Sequence, residues 1–358
     1  MPYSLVILFH LIYGFLIELK IPKKKLVLLF CFILSIVLLL TALRGAIEGD
    51  YLAYKDIFNS TVNFDNNDLS IEPLYFEFNK IIQKLGLHFQ VVIITMAIIS
   101  VIPKYLFFYK VSPNFGFTAF IYFCTVYFIF DFIQIRQAVT ISLFIFALKY
   151  LLERSLIPYV LIILTASLIH YSAVILLPGF YLFQRKYNKV FIYILILICS
   201  YVNVFEITVP FLETILVQFG LPAISSDKIL TYGQSTVFSA VSIKQLVLGF
   251  LFVFAFDSEK DNSNYHRILI NLFVFGILFG TLFNGISEIA FRVKWYFFWT
   301  ESLLMVYLIE KYFNAYFILK IFIYSITVIF YTYNLYNMLD EFASRGPFIF
   351  PYQTFFNF

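Results

Sequence analysis

The residues best able to do chemistry in this sequence stand where apolar runs are interrupted. DFIQIRQ, Asp131 to Gln137, separates two apolar segments by too few residues for a free loop. Asp131 and Arg136 are therefore expected at membrane depth or in a cavity, and an arginine at a helix centre costs about 2.5–3.5 kcal/mol on insertion scales. Either Arg136 pairs with Asp131 or snorkels outward, or it faces a ligand, most naturally an anion. LTASLIHYSAVILLP sets His170, one of 4 histidines, among Ser167, Tyr171 and Ser172. That residue reads as a satisfied interface histidine or as a general base on the floor of an outer cavity, since a neutral imidazole can take a proton near pH 7.

Three further stretches offer polar groups beside aromatic ones. In RGAIEGDYLAYKDIF, which begins at Arg44, Gly45 and Gly49 permit a tight turn. Asp50 then presents a carboxylate beside the sugar-sized faces of Tyr51 and Tyr54; the plainer alternative is a helix-end arginine, a glycine turn and an aspartate cap. EPLYFEFNKIIQKLG puts Glu72 before Pro73, a plain helix start, with Tyr75 close behind. Its stripe of Leu74, Phe78, Ile81, Ile82 and Leu85 suits a helix lying in the outer interface, and Glu72 serves either the helix dipole or a reaction. NGISEIAFRVKWYFFW carries Glu288, Arg292 and Lys294. Arg292 is a second candidate anion ligand or an ordinary helix-end cation, and Trp295, Tyr296 and Trp299 are expected interfacial anchors. The sequence holds no HExxH, no Cys/His cluster and no DxD, so neither a metal nor a nucleotide-sugar site is expected. Cys31, Cys124 and Cys199 all fall in apolar runs, as small core or lipid-facing residues do.

These residues must be held by a membrane scaffold. The chain of 358 residues is 62% hydrophobic and 13% charged, with 48 Phe and 27 Tyr. Soluble domains run at about 45–50% apolar and about 25% charged. A compact soluble enzyme, a nucleic-acid binder and a disordered adaptor are excluded. A bilayer core needs about 20 apolar residues per helix, which gives spans at Pro2–Leu19, Leu26–Leu43, Phe89–Tyr109, Phe115–Phe130 and Gln137–Leu152. More follow at Val190–Glu206, Val241–Phe256, Ile268–Phe283, Lys294–Ile309 and Ala315–Tyr333. Splitting Ile157–Phe183 at His170 gathers most basic residues on one face, from Lys20 and Lys23–Lys25 through Lys104 and Arg185–Lys189 to Lys320. The positive-inside rule favours that arrangement.

The expectation is an all-α polytopic protein, a single integral membrane domain of about 12 segments (range about 10–12). Both termini lie outside, no cleavable signal peptide is evident, and a cavity opens to the outer leaflet. Arg44–His88 forms a large outer loop and Ile207–Ala240 a second, where the polar chemistry collects. No internal repeat is visible, which weighs against a transporter.

RGAIEGDYLAY, EPLYFEFNKIIQKLG, the QIRQAVTISLFIFAL block and SLIHYSAVILLP occur in that order, with a late arginine. This succession resembles the EpsG-like branch of the Wzy polysaccharide polymerases, most closely from Leu43 to Pro178. The resemblance implies an inner-membrane enzyme of bacterial surface-polysaccharide assembly acting on the periplasmic face. The growing glycan would pass from undecaprenyl pyrophosphate onto the next lipid-linked repeat, with no cofactor and no nucleic acid. A flippase and a chain-length regulator are partners such an enzyme would meet, with membrane lipid around it. On that chemistry Arg136 and Arg292, with Arg44, would receive the leaving-group charge, and His170 would take the acceptor proton, with Asp50 or Glu72 as rivals. Tyr51, Tyr54 and Tyr75 would stack sugars, and Gln137 would bind substrate. An O-antigen ligase or another lipid-dependent glycosyltransferase shares the external site and differs in acceptor; a flippase or transporter would do no covalent chemistry.

Overall fold

The computed structural model describes residues 2–61, 71–201, 241–256, 264–282, 287–345 and 352–357, and its regular elements are all helices. Asn63, the loop expected at Ile207–Ala240 and the side chain of Glu288 lie outside the described residues. Two compact units divide the chain: Met1–Leu177 with Glu301–Phe358, and Pro178–Thr300.

The first unit opens with α1 (Pro2–Glu18), α2 (Val27–Ala42), α3 (Gly49–Ser60), α4 (Pro73–Lys84) and α5 (Gln90–Val111). Then come α6 (Phe115–Tyr122), which runs on as a π-helix over Phe123–Ile133, α7 (Ile135–Leu152), α8 (Leu156–Ser167) and a 3-10 turn at Tyr171–Leu176. The second unit holds α9 (Gly179–Leu182), α10 (Lys189–Tyr201), α11 (Ile243–Ala255), α12 (Asn264–Leu282) and α13 (Ser287–Phe298). With α14 (Thr300–Phe313) the chain returns to the first unit, which ends in α15 (Phe317–Arg345) and a 3-10 turn at Phe355–Asn357. Among the described residues, 6 helical stretches are long and apolar enough to cross a membrane, beside shorter apolar helices. The chain is a polytopic all-α membrane protein.

The stretch Phe115–Ile133 is the centre of the first unit, with 94% of its apolar window buried. It packs on α1, where a Cβ on Gly116 would stand 2.2 Å from the Gly14 backbone nitrogen. Small residues of this kind let membrane helices approach closely. Asn114 caps α6, accepting from the Phe117 amide, and donates to Gly14 O at 3.0 Å and Glu18 Oε1 at 2.7 Å. Around this centre α5 packs on α2 and α7, and α7 on α8.

Several charges lie elsewhere than their sequence positions imply. Lys104, counted among the inner-face cations, is fully buried and donates to Asp131 Oδ1 at 2.6 Å, while the Tyr122 hydroxyl donates to Asp131 Oδ2. Lys320, also counted there, is only 6% exposed and holds Glu18 and Glu310 at 2.7 and 2.8 Å. A buried pair costs about 3–5 kcal/mol when one partner is removed, because the other charge is left uncompensated. Lys104→Met should lower unfolding stability in detergent by about that much, and adding Asp131→Leu should recover most of the loss. Equal stability of Lys104→Met and the wild type would contradict this.

Two breaks interrupt the expected spans. Within the Ile157–Phe183 stretch the helix breaks near His170, where α8 ends and a 3-10 turn follows. Lys294–Ile309, expected as one span, is instead two helices meeting at Trp299. There Trp299 Nε1 donates to Tyr296 O at 2.9 Å and Thr300 Oγ1 to Phe297 O at 2.7 Å, so side chains take carbonyls that a continuous helix would share along its own ladder.

Candidate active site

Three interruptions of helix converge in the first unit. Glu72 stands at the cap of α4, in extended conformation before Pro73, and the Leu74 amide donates to Leu168 O at 3.0 Å. That bond fastens the start of α4 to the end of α8, where His170 is itself extended. Gln134 separates the π-helix from α7, leaving Arg136 in the first turn of α7. The helix dipole adds positive potential at that end.

The Glu72 carboxylate joins the three. His170 Nδ1 lies 2.8 Å from Oε1, the Tyr171 amide donates to Oε1 at 3.4 Å, and Arg136 Nη1 donates to Oε2. Burial is graded: the side chains of Glu72, His170 and Arg136 are 6%, 12% and 21% exposed. The Arg136 guanidinium lies 5.5 Å over Tyr54 and 5.3 Å over Tyr75. Both rings belong to a buried cluster with Tyr51, Phe58, Phe76 and Phe89. Burial pushes the Tyr75 hydroxyl up to about 12, so both phenols stay neutral beside the arginine. Burial also works against a Glu72 carboxylate, but the His170 hydrogen bond and the charge of Arg136 together hold it below its ordinary value.

That depression fixes a pH dependence. Because the folded value is lowered, the stability Glu72 contributes is present above the ordinary glutamate value of 4.5 and is lost as the pH falls through the folded value. The thermal advantage of wild type over Glu72→Gln should be flat from neutrality down to that region and shrink below it. An advantage that instead shrinks between pH 8 and 6 would assign it to another group.

A second cluster surrounds Arg44, in the turn between α2 and α3. Arg44 is fully buried, donates Nη1 to Thr41 O at 2.8 Å and lies 3.6 Å from Glu48 Oε1, with Phe132 under its guanidinium at 5.2 Å. Burial pushes the Glu48 carboxyl up to about 7 against the pull of Arg44. Gln90 Nε2 donates to Ala42 O at 2.6 Å, and the Tyr51 hydroxyl donates to Gln90 Oε1 at 3.2 Å. The C-terminal tail closes over this turn: the Gly45 amide donates to Gln353 O and the Phe355 amide to Leu43 O, each at 3.0 Å.

Several expected residues thus come together and others do not. Glu72, Arg136, His170, Tyr54 and Tyr75 form one cluster. The alternative that Arg136 pairs with Asp131 is overturned, because Asp131 is taken by Lys104 and Arg136 by Glu72. Tyr51, Tyr54 and Tyr75 are 5%, 5% and 1% exposed, and their rings pack against Phe89 and Arg136 rather than standing open. Asp50 is partly buried beside Glu48, and Gln137 is buried on α7. Arg292 is exposed on α13, in the second unit. Sequence reasoning missed Glu48, Gln90 and Lys104; a lysine inside an apolar run was the available signal for the last.

Chemically, Glu72 can fix the proton of His170 on Nδ1, which leaves Nε2 as an acceptor, while Arg136 keeps a partly open guanidinium for an anion. Among the described residues no group of three His, Cys, Asp or Glu could hold a metal ion. The model of the EpsG family, a Wzy-like polymerase-type family, matches residues 4–354. No curated protein and no solved structure matches the chain.

Proposed function

The chain belongs to the EpsG family, and from that premise we propose that it polymerises lipid-linked oligosaccharide repeats at the Glu72–Arg136–His170 cluster. Membership carries the coarse activity, a polysaccharide polymerase of the multi-pass membrane type. The finer reading is that the growing glycan leaves undecaprenyl pyrophosphate for a hydroxyl of the next repeat, on the outer face of the bacterial inner membrane, with both chain termini on that face.

The reaction makes and breaks one bond each. The acceptor oxygen bonds to the anomeric carbon, its proton goes to His170 Nε2, and the bond from that carbon to the lipid diphosphate breaks with its electron pair on the phosphate. Two needs follow: a base at the hydroxyl and a cation at the phosphate. The observation that carries the assignment is the bridging carboxylate: one buried group orients an imidazole and anchors a guanidinium together. Tyr54 and Tyr75 hold Arg136 from beneath by cation–π contact. Arg44 is a reserve cation, Asp50 is a rival base, and Gln137 contacts substrate.

Purified protein in vesicles, given lipid-linked repeats and excess chelator, should yield a ladder of polymer. Activity that vanishes with EDTA and returns with magnesium or manganese would remove the arginines from the leaving-group role. A ladder that never forms, in a preparation that transports or ligates the same lipid, would replace the polymerase reading.

A further inference from the structure

We infer that an apolar groove beside the Glu72–Arg136–His170 cluster seats the hydrocarbon chain of the lipid-linked substrate, over its first few carbon units below the phosphates. The inference deepens the polymerase reading and rests on it. The groove has a volume of about 320 Å³ and lies among α4, α5, α7 and the end of α8. Leu74, Phe78, Met96, Leu143 and Ile169 line it, and none of its lining residues is charged.

Its position relative to the cluster selects the ligand. Tyr75 forms one wall and also underlies Arg136 at 5.3 Å. Val139 and Leu143, both in the lining, follow Arg136 at the three- and seven-residue spacings that share a helix face. At a rise of 1.5 Å per residue, position 143 lies about 10 Å along the helix axis from position 136. The rim is open, with Leu74 41% and Ile99 40% exposed, while Met96 and Val139 below are 6% and 1% exposed.

A sugar would find little to bond there. Of the three hydroxyls in the lining, Thr95 donates to Val91 O at 2.8 Å and Thr165 to Leu161 O at 2.9 Å, and that of Tyr75 is buried away from the groove's open rim. The volume is at the small end of ligand pockets, about 300–1,000 Å³, which suits a short length of chain and not an oligosaccharide. An anion at Arg136 continued by hydrocarbon along the groove is what one amphiphile supplies, a long-chain lipid phosphate. The chain also tethers the phosphate at the arginine, so its binding energy positions the bond that breaks.

Leu143→Trp and Leu74→Trp fill the groove without touching the cluster. In full-length protein in vesicles of phosphatidylethanolamine and phosphatidylglycerol, each should raise KM for lipid-linked repeats on the order of tenfold, with kcat within about twofold. Where Leu143→Trp misfolds, Leu74→Trp on the exposed rim carries the kinetic arm. A photoreactive phenylalanine at position 78 should capture undecaprenyl diphosphate lacking sugar, and excess of that lipid should compete. Unchanged KM in Leu74→Trp, or capture of vesicle phospholipid that undecaprenyl diphosphate does not displace, would overturn the inference. Failure of the polymerase reading looks different: unsubstituted protein then makes no polymer, whatever the groove captures.

Discussion

Replacing His170 with alanine is expected to slow polymerisation by about 10²–10⁴, the usual contribution of a positioned general base. The geometry makes this more specific than removal of a polar side chain. Glu72 holds Nδ1 at 2.8 Å, so the other ring nitrogen is the one offered to the acceptor hydroxyl. The loss should fall on kcat, with KM for the lipid-linked repeat within about threefold, because the proton moves only in the transition state. If His170 instead only braces the start of α4, His170→Asn should restore activity as well as stability. Near-normal polymer from well-expressed His170→Ala would move the base to Asp50.

Arg136→Lys is expected to cost about 10²–10³ in rate while the protein reaches the membrane in normal amount. Lysine keeps the charge, so a simple ion pair with Glu72 survives the change. What is lost is the planar fork that grips phosphate oxygens in two places, and the flat contact with Tyr54 and Tyr75. The competing account, in which Arg136 only neutralises Glu72, makes the opposite forecast. Under it Arg136→Lys stays active, and the exchange Glu72→Arg with Arg136→Glu rescues function. The catalytic account expects the exchanged protein to be inactive, since it places the carboxylate where the leaving phosphate must go.

How far the sequence carries is clearest at single residues. Pro73 marks a helix start and His170 a break, and both stand where expected, because proline geometry and a polar interruption act locally. Arg136 is conspicuous for its desolvation cost, yet its partner, Glu72, is 64 residues away and nothing local points to it. The same desolvation argument applied to Lys104 would have demanded an acid for it; treating it as a cation near a helix end hid the pair with Asp131. Tyr54 and Tyr75 show the limit in another way. Residue type announces an aromatic face, but only packing decides whether sugar or arginine covers it. The break at Trp299 was invisible because hydropathy sums over side chains and does not register which carbonyls they bond.

The most direct test of the central claim is the surface-glycan ladder of a bacterium whose own copy is deleted, complemented at matched membrane levels with wild type, His170→Ala or Arg136→Lys. The account predicts a full ladder from wild type and a single retained repeat from the deletion and from both variants. Full ladders from the variants would contradict the site, and loss of every repeat in the deletion would contradict polymerisation itself, pointing to ligation or transport.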